Sequence, residues 1–336
     1  MESLKVGLLA CGGMGMSLGG QCAELKNARV TAVCDVDEEK LRAAGEKFEA
    51  ATYADYRKLL DEAGVNAVIV ASPPHLHSPM TQYAAAAGKH ILCEKPMSTN
   101  VADCDAMVQA AERHGVKLMI AQVLRYLPAF YWLREHVGNG EFGKVCGIKI
   151  ERIGGGWFGE HAVGWRTLRA ESGGFLMEVN AHELDFMRCI AGEARRVFAI
   201  GGNYVQKGQD YEDLTLVSVE YQSGAVGILH ANQLCHGGMG AYTGRVLCEG
   251  GTLFFDNGFS ADSPIRFAKA DGTTGEQRIG DIQLENPVGH EIRLFVEAVL
   301  NDTPVPIPGS EGRAAVELAQ AAYRSIATGQ PVELPL

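Results

Sequence analysis

From Lys5 to Gln122 the chain alternates short apolar runs with stretches of helical character, and no other feature restricts its fold so sharply. Lys5 to Ala10, Val30 to Cys34, Ala67 to Ala71, Ile91 to Cys93 and Lys117 to Ala121 are strand-length and largely apolar, as strands buried on both faces are. Met16 to Lys26, Glu38 to Phe48, Pro79 to Ala87 and Thr99 to His114 read as intervening helices, with Gly88 ending the third and Ser98 capping the fourth. Strands and helices in this alternation predict a doubly wound parallel sheet. Ligands of such sheets bind outside the carboxyl ends of the strands, so the residues that follow each run are the first place to look for chemistry.

The first run leads into Cys11-Gly12-Gly13-Met14-Gly15 and then a helix, the setting a dinucleotide fingerprint requires. Gly12, Gly13 and Met14 would bring backbone and helix amino end to a pyrophosphate, although Ala10 stands where the first glycine usually does. Asp35 closes the second run about 20 residues on, where an acid accepts from the adenosine ribose hydroxyls and repels a 2′-phosphate. NAD(H) is therefore favoured over NADP(H) unless Lys40 or Arg42 lies alongside. The third run ends in Ser72-Pro73-Pro74-His75-Leu76-His77, whose prolines hold a loop extended and place Ser72 and Pro73 against a cofactor. His75 and His77 are further candidates there, although a loop histidine is more often structural. The fourth run, from His90, delivers Glu94 and Lys95 to a strand end that Pro96 terminates. Whether the Lys95–Pro96 bond is cis is not legible from sequence.

After Gln122 the pattern changes. Arg125-Tyr126-Leu127-Pro128 opens a helix through Val137, Gly138-Asn139-Gly140 breaks it, and Lys144 to Arg152 alternates like a strand. Val197 to Tyr204, Leu214 to Tyr221, Ala225 to Gln233, Arg245 to Glu249 and Ile265 to Ala268 continue in that style, joined by spacers such as Gln222-Ser223-Gly224. The expected architecture is an α/β Rossmann domain over 1–123 and an α+β domain with a large, mostly antiparallel sheet over 124–336. Within the second, Ser172 to Asp185 reads as one helix entered from Gly173-Gly174, which sets Glu178, His182 and Asp185 along one face. An acid directed at a histidine raises its basicity and fixes its tautomer, as a general base needs; the same spacing also suits a solvated pair.

Composition narrows the partners. A net charge of −11 argues against nucleic-acid or anionic-membrane surfaces. Nine cysteines without CxxC or CxxH spacing suggest neither a disulfide framework nor a metal site, and point to a reducing cytoplasm. The N-terminal apolar run is strand-length, so neither a signal peptide nor a membrane span is expected.

The glycine turn, Asp35, Ser72-Pro73-Pro74, Glu94-Lys95-Pro96 and Gly173-Gly174 leading to His182 and Asp185 occur in one order that resembles the Gfo/Idh/MocA oxidoreductases along nearly the whole chain. Glu-Lys-Pro at a Rossmann strand end is the most specific element. The resemblance implies a nicotinamide cofactor, a sugar, cyclic polyol or derivative as substrate, and pairing of subunits through the second sheet into a homodimer or homotetramer. It makes Lys95 the active-site lysine and His182 the catalytic histidine, with Glu178 where the family commonly has Asp. Trp165 and Arg166 look like a Trp-Arg pair near the nicotinamide, which Gln122 also approaches, and His290 stands where many members place Tyr. Arg125, Tyr126, Trp157, Phe158, His161, Trp165, Asn180, Asp185 and His236 are candidates to line a hydroxylated ring.

Three functions fit: a dehydrogenase in which His182 takes the alcohol proton and Lys95 stabilises the alkoxide; a redox-neutral glycosidase or lyase that oxidises its sugar transiently; and a non-catalytic dinucleotide or sugar sensor. The first requires Lys95 and His182 to meet at the pyridine ring.

Overall fold

The computed structural model describes residues 3–154 and 164–336. The chain divides into two compact units, Met1–Val123 with Glu285–Arg313, and Leu124–Leu284 with Ala314–Leu336. The contiguous boundary expected from sequence differs from this division by the segment Glu285–Arg313, which returns to the first unit.

In the first unit, β1 (Leu4–Leu9), α1 (Gly13–Ala23), β2 (Ala28–Cys34), α2 (Glu38–Phe48), β3 (Ala51–Tyr53), α3 (Tyr56–Glu62), β4 (Ala67–Val70), α4 (His77–Ala86), β5 (His90–Glu94), α5 (Val101–His114) and β6 (Leu118–Ala121) follow in order. The strands form one parallel sheet, ordered β3-β2-β1-β4-β5-β6. Every residue of β4 and β6 is buried, which explains their unbroken apolar character. Asp37 caps α2 by accepting from the amides of Glu39 and Lys40. The cap of α5 is Asn100, accepting from Asp103 N at 2.9 Å, two residues beyond the expected Ser98. The short pair β3 and α3 was not among the sequence expectations.

The second unit holds α6 (Pro128–Gly138), β7 (Val145–Ile153), α7 (Arg169–Ser172), α8 (Phe175–Glu178), α9 (Ala181–Ala191), β8 (Ala194–Gly202), β9 (Leu214–Tyr221), β10 (Val226–Asn232), β11 (Ala241–Cys248), β12 (Gly251–Phe255), β13 (Pro264–Lys269) and β14 (Thr274–Arg278). Then α10 (Pro287–Leu300) packs against α1 in the first unit, α11 (Gly309–Thr328) passes from the first unit into the second, and β15 (Val332–Glu333) ends the sheet. That sheet runs β14-β13-β12-β11-β7-β10-β9-β8-β15 and is antiparallel except between β7 and β10. Helix α9 packs on β7 and β10. On β9, Thr215, Val217, Val219 and Tyr221 are buried while Leu216 and Ser218 are exposed, the alternation of a sheet covered on one face. Phe198, Ile200, Leu216, Val226, Ile228 and Leu247 stand exposed on their strands. No helix among the described residues is long and apolar enough to cross a membrane.

Candidate active site

The glycine turn is built for close approach. Gly12 is the N-cap of α1, no side chain caps that helix, and a Cβ added at Gly12 or Gly13 would meet nothing within 4 Å. A Cβ at Gly15 would lie 2.1 Å from the Ala10 carbonyl oxygen, so helix and strand close only around a glycine. Ala10, in the place of the usual first glycine, takes φ 77°, a left-handed conformation that costs an alanine roughly 1–2 kcal/mol. Asp35 accepts from Cys11 N at 2.7 Å and Asp37 N at 2.9 Å, holding its carboxylate beside the turn. Lys40 pairs with Asp37 at 2.8 Å and Arg42 with Glu46 at 3.6 Å, so both cations are drawn toward carboxylates other than Asp35. The open glycine cradle, the uncapped helix end and the half-buried carboxylate fit NAD(H). Met14, at the turn's rim, is 45% exposed.

Along the same sheet edge, Ser72 is buried with its hydroxyl directed at the Pro73 carbonyl (3.4 Å), and His75 lies in a single 3-10 turn, Pro74–Leu76. His77 is 1% exposed and bridges two loops, its Nδ1 2.9 Å from the Pro96 carbonyl and its Nε2 2.7 Å from the Ser72 carbonyl. Burial pushes its pKa down to about 4 against the upward pull of those carbonyls. Its ring nitrogens are thus occupied in joining the loop after β4 to the one after β5. Glu94 is buried and accepts from the Lys95 amide at 2.9 Å; the Lys95–Pro96 bond is cis. Gln122, just beyond β6, is buried at 1% exposure.

In the second unit the expected single helix is two. Val179 N still makes the helical bond to the Phe175 carbonyl at 3.0 Å, but Asn180 N reaches back five residues to the same carbonyl at 3.2 Å, and α9 restarts at Ala181. Glu178 therefore ends α8 while His182 sits in the first turn of α9, so an unbroken helix does not relate them. Arg125 and Asp185, two of the ring-lining candidates, are both buried and paired with each other. Tyr126 is buried as well, and His236 is exposed in the loop between β10 and β11. Trp165 and Arg166 lie in the turn Gly164–Thr167 with the guanidinium 4.3 Å over the indole ring. Trp157, Phe158 and His161 lie outside the described residues.

Sequence reading missed a buried network beneath these groups. Glu183 is fully buried and accepts from Arg152 at 2.7 Å, Asn180 Nδ2 at 2.8 Å and the Tyr242 hydroxyl at 2.8 Å. Burial opposes the Arg152 charge, but Glu183, Tyr242 and Glu178 hold its pKa above the ordinary range. Tyr211, donating to the Arg166 carbonyl at 2.7 Å, is pushed up to about 12 chiefly by burial, with Glu178 adding to the shift and Gln233 opposing it. Apart from Asn180 and Glu183, three residues apart, these partners lie far apart along the chain, where no local pattern announces them.

The sequence profile described as an oxidoreductase family with an NAD-binding Rossmann fold matches residues 4–122, and that of the same family's C-terminal alpha/beta domain matches 134–334. The chain belongs to the Gfo/Idh/MocA oxidoreductase family. Its relatives include the myo-inositol 2-dehydrogenase of Thermotoga maritima, 28% identical over 98% of both chains. The 2,7-anhydro-N-acetylneuraminate hydratase of Mediterraneibacter gnavus is 29% identical over 70% of this chain and 63% of its own. In three dimensions the chain is similar to the aldose-aldose oxidoreductase of Caulobacter crescentus, with a TM-score of 0.88 at 26% identity over 99% of this chain and 100% of the other. The first unit of this Gfo/Idh/MocA protein is thus an NAD-binding Rossmann domain.

Proposed function

We propose that the protein is an NAD-dependent dehydrogenase acting on a secondary alcohol of a sugar, cyclic polyol or sugar derivative. NAD+, when bound, supplies the hydride acceptor. Lys95 stabilises the alkoxide as it develops, its ammonium delivered by a rigid buried strand. His182 takes the hydroxyl proton, and Glu178 orients it or contacts substrate. The observation that carries this reading is the place of Lys95 at the carboxyl end of β5, where doubly wound sheets bind their ligands, in a chain of an NAD-binding oxidoreductase family. The relative named myo-inositol 2-dehydrogenase supports a polyol substrate.

The test is a screen of inositols, aldoses, anhydrosugars and glycosides with NAD+ and NADP+, following the reduced nicotinamide band and product release together. Lys95→Met and His182→Asn should each lower turnover by about 10² to 10⁴-fold while NADH still binds. Variants that bind NADH and turn over normally would remove both assignments.

A redox-neutral reaction, in which the sugar is oxidised, loses a substituent and is reduced again, is favoured by the relative named a hydratase and by Glu178 in place of Asp. Product release without net NADH, in protein holding its cofactor tightly, would select it. The sensor reading predicts binding without turnover on every compound screened.

A further inference from the structure

At the end of the first sheet remote from the glycine turn, the amino ends of β1, β4 and β5 and the last turn of α10 enclose a cavity of about 470 Å³. Ser3, Lys5, Asn66, Lys89 and His90 supply its polar side chains. Its size suits a small metabolite.

The chemistry of that lining is one-sided. Asn66 Oδ1 accepts from the Lys5 amide at 3.1 Å, which fixes the orientation of the side-chain amide and leaves Nδ2 to donate. His90 Nδ1 accepts from the Lys117 amide at 3.0 Å, so the ring proton lies on Nε2. Burial, with Lys117 alongside, holds the His90 pKa below its usual value against the pull of Asp302. Asp302 itself is taken by Lys117 at 2.9 Å, and neither Lys5 nor Lys89 pairs with a carboxylate among the described residues. What Lys5, Asn66, Lys89 and His90 still offer is therefore donors alone: two ammoniums, an amide N–H and an imidazole N–H. Such a lining repels cations and favours a ligand group made of acceptors. A phosphate monoester answers on both counts, with close to two negative charges at neutral pH and three acceptor oxygens.

We propose that this cavity binds a small phosphorylated metabolite, its phosphate monoester held by Lys5 and Lys89 with further donors from Asn66 and His90. The site is separate from the strand ends at which doubly wound sheets bind their ligands. Along β5 alone, His90 and Glu94 are four residue steps apart, roughly 13 Å. The occupant is thus a second ligand.

Calorimetric titration of the full chain tests it, with NADH present to fill the dinucleotide site and with glucose 6-phosphate, inorganic phosphate and glucose as probes. Glucose 6-phosphate should bind and glucose should not. Inorganic phosphate should bind more weakly, since it leaves most of the cavity unfilled; equal affinity would overturn the ester as the occupant. Lys89→Gln should weaken glucose 6-phosphate by about tenfold. Asn66→Asp is the sharper variant, because it keeps the acceptor that the Lys5 amide needs while exchanging the donor for a negative charge. It should weaken the ester by more than about tenfold, with NADH affinity held within about twofold. A wild type that does not bind the ester, or binding that survives unchanged in both variants, would overturn the proposal. Parallel loss of NADH affinity in both variants would assign these residues to the sheet's own packing and overturn it equally.

Discussion

Arg125 and Asp185 grip each other through two parallel hydrogen bonds, Nε to Oδ2 at 2.7 Å and Nη2 to Oδ1 at 2.5 Å, with the carboxylate fully buried and the guanidinium nearly so. The fork fixes the turn that opens the second unit against α9. Removing one partner of such a pair strands a charge out of water. Asp185→Asn is therefore expected to cost about 3–5 kcal/mol of stability, read as a lowered midpoint in urea. A shift within experimental error would show that the pair contributes little.

Cofactor choice should hinge on Asp35. Its carboxylate would face a 2′-phosphate, and like charges brought together cost several kcal/mol, while Lys40 and Arg42 are drawn to other acids. Asp35→Asn should narrow the preference for NAD+ over NADP+ by about tenfold or more in dissociation constant. An unchanged ratio would place the selectivity elsewhere.

The acid side of the stability profile should carry the signature of His77. Burial lowers its pKa from 6.5 to about 4 in the folded chain, so on acidification the unfolded chain takes up the proton first. The contribution is fully present above pH 6.5, is lost progressively as pH falls toward 4, and amounts to about 3 kcal/mol. Urea midpoints measured across that window should fall steeply for the wild type and more gently for His77→Gln. Parallel curves would contradict the assignment.

The exposed apolar side chains of the second sheet give the expectation of subunit pairing a concrete form. Ile228 is 49% exposed on β10, among Leu216 and Val226. If a second copy covers this face, Ile228→Asp should shift the protein to monomer in sedimentation velocity. A wild type that already sediments as a monomer would remove the proposal.

How far these features could be read from sequence depends on the range of the interactions behind them. The first sheet was legible because strands buried on both faces must be apolar throughout, and that leaves a local trace. Ala51 to Tyr53 leaves none, being a three-residue strand at the sheet's edge with two residues exposed. The glycine turn could be read even with Ala10 in place of a glycine, because Gly15 still meets the packing demand. Helical spacing through Glu178 and His182 does not reveal the break at Asn180, where the backbone bond reaches back five residues instead of four. The Arg125–Asp185 pair spans 60 positions and the Tyr242–Glu183 bond 59, distances over which periodicity says nothing.

The return of Glu285–Arg313 sets a schedule for synthesis. Helix α10 lies on α1, the Ile120 amide donates to the Ile307 carbonyl at 2.9 Å, and Arg313 pairs with Asp105 at 2.5 Å. Until Glu285–Arg313 has been made, the emerged nucleotide-binding sheet therefore lacks one of its coverings. That sheet must wait, with apolar surface bare, while the whole intervening sequence is translated. Expression of 1–123 alone would freeze the protein at that moment.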